Sequence, residues 1–279
     1  MDFILHIGLP KAASTSFQRL LDSQRTELLE QGLFIPTLGH RRDPLSPTGL
    51  TPGHDLLVLL ASAQQKLERL ILRNLEEARQ KGAHTLLMTT ENLTHPENLG
   101  QLPAFSRNLE AILGRAGVDG FSAYLMTRDP QSWLRSYYNE LVLDGRSLET
   151  RTFERFGTAL AGEGTSYESV LEICVRAFGD HLVQTPPVNE GIEPVLQHFT
   201  DMTGVHVTMN ATPRERQSPS TEAVEETRKK NAQLRASAPG LLLSDPRLAA
   251  RAMSANLPQN WRRSIRQLRR SIEVLGVRV

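Results

Sequence analysis

The chain alternates between short apolar runs and longer stretches with an apolar position every three or four residues. Residues 3–8 are apolar but for His6, the pattern of a strand buried on both faces. From Ser14 the period lengthens: Phe17, Leu20, Leu21 and Leu28 share one face of a predicted helix that ends before Gly32. Leu33-Phe34-Ile35 is a second short strand, stopped by Pro36. The Pro- and Gly-rich stretch 36–53, which includes Arg41-Arg42, is a long loop of the length that is often functional. A helix with Leu67, Leu70, Ile71, Leu75 and Ala78 inward ends at Gly82. Thr85–Thr90 is a third strand, delivering Glu91-Asn92 at its carboxyl end, and residues 97–115 are helical. Phe121–Thr127 forms a fourth strand. Arg128 follows it, then Asp129 as a helix N-cap and Pro130 as a first helical residue, in a helix running through Trp133, Leu134, Tyr137, Tyr138 and Leu141.

Beyond residue 145 the periodicity is mainly helical, with weak strands at His181–Gln184 and Val205–Met209 and a helix from Ser218-Pro219 through Val224 and Asn231. A last helix gathers Trp261, Ile265, Leu268 and Ile272 on one face, with Arg262, Arg263, Arg266, Arg269 and Arg270 elsewhere. Such arginines either meet an anionic surface or form the solvated side of a packed helix, and the second is the commoner case. Strands alternating with helices predict an α/β fold, a mainly parallel sheet flanked by helices, with a helical C-terminal part. The expected organisation is a single domain over 1–279, with 215–279 as its helical extension.

Composition narrows the functional classes. With 39% hydrophobic and 23% charged residues the 279-residue chain is ordinary for a globular protein, and a net charge of +1 supplies no bulk field toward nucleic acid or membranes. Any anion site must be local. The sole cysteine, Cys174, falls in a helical pattern with Val170, Leu171 and Phe178, reads as a buried thiol, and has no partner for a disulfide or metal site. No run is long enough to cross a bilayer, so a cytoplasmic location is expected.

The candidate chemistry gathers where strands end. After the first strand, Gly8-Leu9-Pro10-Lys11-Ala12-Ala13-Ser14-Thr15-Ser16 places a lysine on a tight turn and three hydroxyls at the start of a helix. Loop amides, a helix N-terminus and an ammonium then aim at one point, which suits a phosphate. The turn lacks the Gly-x-x-x-x-Gly-Lys-[Ser/Thr] spacing of nucleoside-triphosphate loops. Arg128 stands at another strand end, where a guanidinium can clamp a phosphate bidentately, and Ser136 lies about two turns along the next helix. Glu91 ends an apolar, Thr-rich strand and suits a general base, while His54, in Thr51-Pro52-Gly53-His54, is an alternative base. His6 reads as a satisfied core histidine, Tyr137 and Tyr138 as helix packing, and Arg214 and Arg216 as loop residues that can close over a ligand. The carboxyl ends of parallel strands are where such sheets bind ligands.

In order and spacing, Gly-x-x-Lys-x-x-Ser-Thr after one strand and Arg-Asp-Pro-x-x-Trp-x-x-Ser-Tyr-Tyr after a later one, the chain resembles sulfotransferases that use 3′-phosphoadenosine 5′-phosphosulfate (PAPS). The resemblance is nearest to bacterial, Golgi-like carbohydrate sulfotransferases and covers mostly residues 3–36 and 84–144. It implies a P-loop sulfotransferase-like fold and transfer of a sulfuryl group to an acceptor hydroxyl or amine, without a metal. It further implies that Lys11, Ala12, Ala13, Ser14, Thr15 and Ser16 hold the 5′-phosphosulfate, Arg128 and Ser136 the 3′-phosphate, and that Glu91 is the base. Lys11 would neutralise charge on the leaving oxygen, with adenosine 3′,5′-bisphosphate (PAP) the product. The acceptor implied is a carbohydrate, glycoconjugate or small molecule. The family loop reads Lys-Thr-Gly-Thr-Thr, so Ala13 stands where glycine is usual, and the late glycine-rich loop of cytosolic members is not evident. An ATP- and Mg²⁺-dependent phosphotransferase and a non-catalytic nucleotide-binding module are the alternatives. The sequence leaves oligomeric state and acceptor identity open.

Overall fold

In the computed structural model the described residues are 1–37, 41–42, 50–51, 53–54, 56–96, 98–143, 148–189, 191–209 and 219–236. The strands are β1 (Asp2–Gly8), β2 (Leu33–Phe34), β3 (Arg41–Arg42), β4 (Leu50–Thr51), β5 (Thr85–Thr90), β6 (Gly120–Met126) and β7 (Leu182–Gln184). Five form an all-parallel sheet in the order β2-β5-β1-β6-β7, and β3 and β4 form a small antiparallel pair. The expected α/β fold is thus present. The chain divides into two compact units, Met1–Leu134 with Leu160–Glu215, and Arg135–Ala159 with Arg216–Val279.

The first unit holds the sheet. β1 is its centre, and Phe3 to Gly8 are buried on both faces because helices cover both. On one face His6 lies in register between Thr89 and Tyr124. Phe17 of helix Ser14–Ser23 and Phe199 of helix Glu193–Thr203 pack there, each against Tyr124. On the other face Phe3 and Phe121 face each other, and Phe121 meets Phe178 at the end of helix Tyr167–Phe178. Helix Leu102–Arg115 packs beside that helix. Helix Gln64–Gln80 buries Leu67, Leu70, Ile71, Leu75 and Ala78, as its 3.6-residue period requires. Cys174 is fully buried, and burial pushes its thiol up to about 12.

The structure departs from the sequence pattern in three places. The helix expected from Ser14 to Gly32 is two helices, Ser14–Ser23 and Arg25–Glu30, parted at Gln24, whose φ of −123° is not helical. Val205–Met209 is not a strand, although its backbone is hydrogen-bonded much as a strand's would be. The Gln24 side chain gives one bond to and takes one from the Thr208 backbone, and Gln31 does the same at His206. Two glutamine amides stand in for a neighbouring strand. Within residues 36–53, expected as loop, Arg41–Arg42 and Leu50–Thr51 pair as β3 and β4.

In the second unit Tyr138 packs on Phe153 and Phe156, and Tyr137 on Phe156. The two tyrosines therefore do supply packing. Asn231, on helix Thr221–Ala236, donates to the carbonyls of Val142 and Glu149. Arg214, Arg216, Ser218 and the segment about Trp261, expected as an arginine-bearing helix, lie outside the described residues. Among the described residues no helix is long and apolar enough to cross a membrane.

Candidate functional site

β1 and β6 are neighbours, yet the chain leaves their carboxyl ends in opposite directions, toward β2 at one edge and β7 at the other. Adjacent strand ends with diverging connections form the crevice in which open parallel sheets bind ligands. The Leu9 N–H donates to the Met126 carbonyl at 3.1 Å, tying the two ends together. The chain then turns sharply, with the Ala12 N–H on the Leu9 carbonyl at 3.0 Å.

The turn is built from strained backbone. Lys11 has φ 67° and Ala13 φ 59°, both left-handed. Each such non-glycine residue costs about 1–2 kcal/mol. Ala13, where the family pattern has glycine, thus adopts the conformation glycine takes easily. It is also the N-cap of helix Ser14–Ser23, and with a methyl side chain it caps nothing. Ser14, Thr15 and Ser16 are the first three helical residues rather than caps. The N–H groups of Ser16 and Phe17 fold back onto the Ala13 carbonyl. Those of Ser14 and Thr15 are left with no partner inside the helix. The Ser14 side chain is 3% exposed, and its Oγ has no hydrogen-bond partner. A buried hydroxyl without a partner at an uncapped helix N-terminus is a donor awaiting an acceptor.

Gly8 makes this approach possible. A Cβ built there would stand 1.8 Å from Ser14 Oγ, so any side chain would displace the hydroxyl.

Arg128 reaches the loop from β6. Its Nη1 donates to the Lys11 carbonyl at 3.0 Å, while its buried Nε has no partner. Arg128 and Lys11 are thereby brought together, 117 residues apart in sequence. The turn carrying Arg128 is held from several sides. Thr185 accepts from the Thr127 N–H and its carbonyl accepts from the Thr127 hydroxyl. The Val188 N–H reaches the Thr127 carbonyl, and Asn189 Oδ1 accepts from the Asp129 N–H. Tyr167 is half-buried, and burial raises its pKa. Asp129 caps its helix through Ser132 N–H at 2.8 Å, and that bond, with the Ser132 hydroxyl, holds its carboxyl below the usual range.

Glu91 is half-buried at the same rim, at the start of the 3₁₀ turn Asn92–Thr94. Thr94 Oγ1 links it to the loop, donating to the Gly8 carbonyl and reaching the Glu91 carbonyl. Ser136 falls in the second unit, on helix Pro130–Leu143, and is half-buried.

His54 has a different role from that expected. It is 1% exposed, and its ring is held at both nitrogens: the Thr89 N–H donates to Nδ1 at 2.8 Å, and Nε2 lies 3.2 Å from the Pro36 carbonyl. Its own N–H donates to the Thr89 carbonyl at 2.6 Å. The cause lies in the sheet. β2 pairs only with Thr85 and Leu86, so the outer edge of β5 beyond them needs partners, and His54 supplies them at Thr89. A ring spent on two backbone groups is a clip, not a base.

His6 also departs from expectation. It is a core residue, but neither ring nitrogen has a hydrogen-bond partner, and burial lowers its pKa to about 3.

Sequence reasoning missed Thr94, Thr185 and Asn189, because each acts through contacts made only across the fold. Fold and rim together define a parallel α/β protein whose candidate site is a strand–loop–helix turn flanked by an arginine and a carboxylate. No protein-family model matches the chain, and comparison with curated proteins finds no match.

Proposed function

We propose that this protein is a sulfotransferase, moving a sulfuryl group from PAPS to an acceptor hydroxyl or amine, best read as one on a carbohydrate or glycoconjugate. The observation that carries the proposal is the contact of Arg128 with the Lys11 carbonyl, beside the uncapped helix N-terminus and the orphaned Ser14 hydroxyl. One loop then offers amides, a hydroxyl and a lysine, and a guanidinium stands next to it. A donor with two anionic groups, a phosphosulfate and a separate 3′-phosphate, matches that set.

The acceptor oxygen attacks sulfur in line, the bond from sulfur to the bridging phosphate oxygen breaks, and the acceptor proton passes to Glu91. Lys11 and the loop N–H groups stabilise charge gathering on the leaving oxygen, as in phosphoryl transfer. Loss of one such stabiliser costs ~10²–10³ in rate. With His54 committed to backbone, Glu91 is the base of this mechanism.

Thermal shift with adenosine 3′,5′-bisphosphate against ATP–Mg²⁺ is the test. Stabilisation by the bisphosphate, lost in Arg128→Ala, is expected. Stabilisation by ATP–Mg²⁺ alone overturns the reading in favour of a phosphotransferase. Labelled-sulfate transfer over a panel of acceptors then separates catalysis from mere binding, and full activity in Glu91→Gln would remove Glu91 from its role.

A further inference from the structure

Three polar side chains stand side by side on one face of the sheet: Thr89, His6 and Tyr124, in register on β5, β1 and β6. The outer two are satisfied. Gln18 donates to Thr89 Oγ1, and the Tyr124 hydroxyl donates to the Val195 carbonyl. His6, between them, is fully buried against Phe17 with both ring nitrogens unpartnered. Buried polar atoms are rarely left so, because each lost bond to water costs free energy.

A second orphan lies beside it. The position a Gly8 Cβ would occupy is 1.8 Å from Ser14 Oγ and 3.8 Å from His6 Nε2. Those two atoms therefore lie within about 5.6 Å of each other, the sum of the two distances, with no side chain at Gly8 to part them. A separation of that order is within the span of one bridging water, and a shorter one is within reach of a side-chain rotation.

We infer that His6 is a positioning residue for the anion loop: its Nε2–H donates, directly or through one water, to Ser14 Oγ, so that the Ser14 proton points out to the bound anion. The chemistry requires this polarity. A serine that gave its proton to the ring would turn lone pairs toward the anion. A serine that accepts from the ring has its own O–H free to donate. A neutral imidazole with one N–H is suited to the task, and burial keeps His6 neutral. The inference rests on the sulfotransferase reading only in needing an anion at the loop, and does not depend on which donor binds.

The test has a ligand-free arm and a binding arm, both on the full chain. In NMR spectra of protein labelled with ¹⁵N-histidine, His6 is expected as the Nε2–H tautomer, with its ring signals displaced in Ser14→Ala. An Nδ1–H tautomer, or ring signals unchanged by Ser14→Ala, overturns the inference whatever the loop binds. In the binding arm, inorganic pyrophosphate and adenosine 3′,5′-bisphosphate are titrated separately. Ser14→Ala and His6→Phe are each expected to weaken binding about tenfold, with the double variant no weaker than either single one. His6→Gln, which returns an N–H donor near the same place, is expected to restore much of the loss. Additive losses, or no rescue by Gln, make His6 a packing residue only. A wild type that binds pyrophosphate but not the bisphosphate rejects the PAPS assignment and leaves His6 in its role. A wild type that binds neither overturns both.

Discussion

Lowering the pH should destabilise this protein through His6 in a way that can be measured. Its pKa falls from 6.5 to about 3 on folding because the ring is wholly buried. Below pH 6.5 the unfolded chain takes up a proton that the folded chain refuses until about pH 3. The stabilising contribution is therefore complete above 6.5 and is lost as pH falls from 6.5 toward 3. One proton is worth about 1.4 kcal/mol per pH unit, so the loss approaches about 2 kcal/mol by pH 5 and has a ceiling of about 5 kcal/mol at the bottom of the window. Against a total stability of about 5–15 kcal/mol that is a large share. The perturbation is His6→Phe, which keeps a ring beside Phe17 but cannot titrate. Urea unfolding at pH 7, 6, 5.5 and 5 supplies the stabilities. At a slope of about 1–3 kcal/mol per molar urea, the wild-type midpoint should drop by about 1 M more than the variant's between pH 7 and 5. Carboxylates titrate in both proteins and cancel in the difference. Parallel curves for wild type and variant would show that folding leaves the protonation of the ring unchanged, and would refute the reasoning.

Other outcomes follow from the same geometry. Ala13→Gly removes a left-handed alanine and should stabilise the protein by about 1 kcal/mol, read as a rise in Tm; a fall would mean that the turn is not in the conformation described. His54→Leu strips partners from the Thr89 N–H and the Pro36 carbonyl and should cost about 2–4 kcal/mol in urea unfolding, where a catalytic histidine would leave stability unchanged. Cys174, buried and with its thiol pushed up to about 12, should resist thiol reagents at pH 8 until denaturant is added; prompt labelling of the native protein would contradict its burial.

The Gly8–Ser16 turn is legible in the sequence because its parts are local. A buried strand, a tight turn with lysine, and hydroxyls opening a helix follow one another between Phe3 and Ser16. Arg128 was equally plain as the residue after a strand. Their contact was not, since it depends on β1 and β6 lying side by side. His54 shows the opposite limit. Its residue type, after Thr-Pro-Gly, suggests a base that titrates near neutral pH, but the two-residue length of β2 leaves backbone groups on β5 to be satisfied, and the ring goes there. His6 had the right address and the wrong accounting: the core was predicted, the missing partners were not.

By itself the sequence determined the parallel α/β layering, because hydrophobic period and chain punctuation are local properties that every residue reports. It also determined that an anion, if bound, must be held by a local site, because a net charge of +1 leaves no wider field to do it. The tertiary structure decided which polar groups are already used. Hydrogen bonds between segments far apart in sequence commit His54, Thr94 and Asn189 to the backbone, and the lack of such bonds leaves Ser14 Oγ, Arg128 Nε and His6 with capacity to spare. A residue's type sets which bonds it can make. Only its neighbours in space determine which of them are taken.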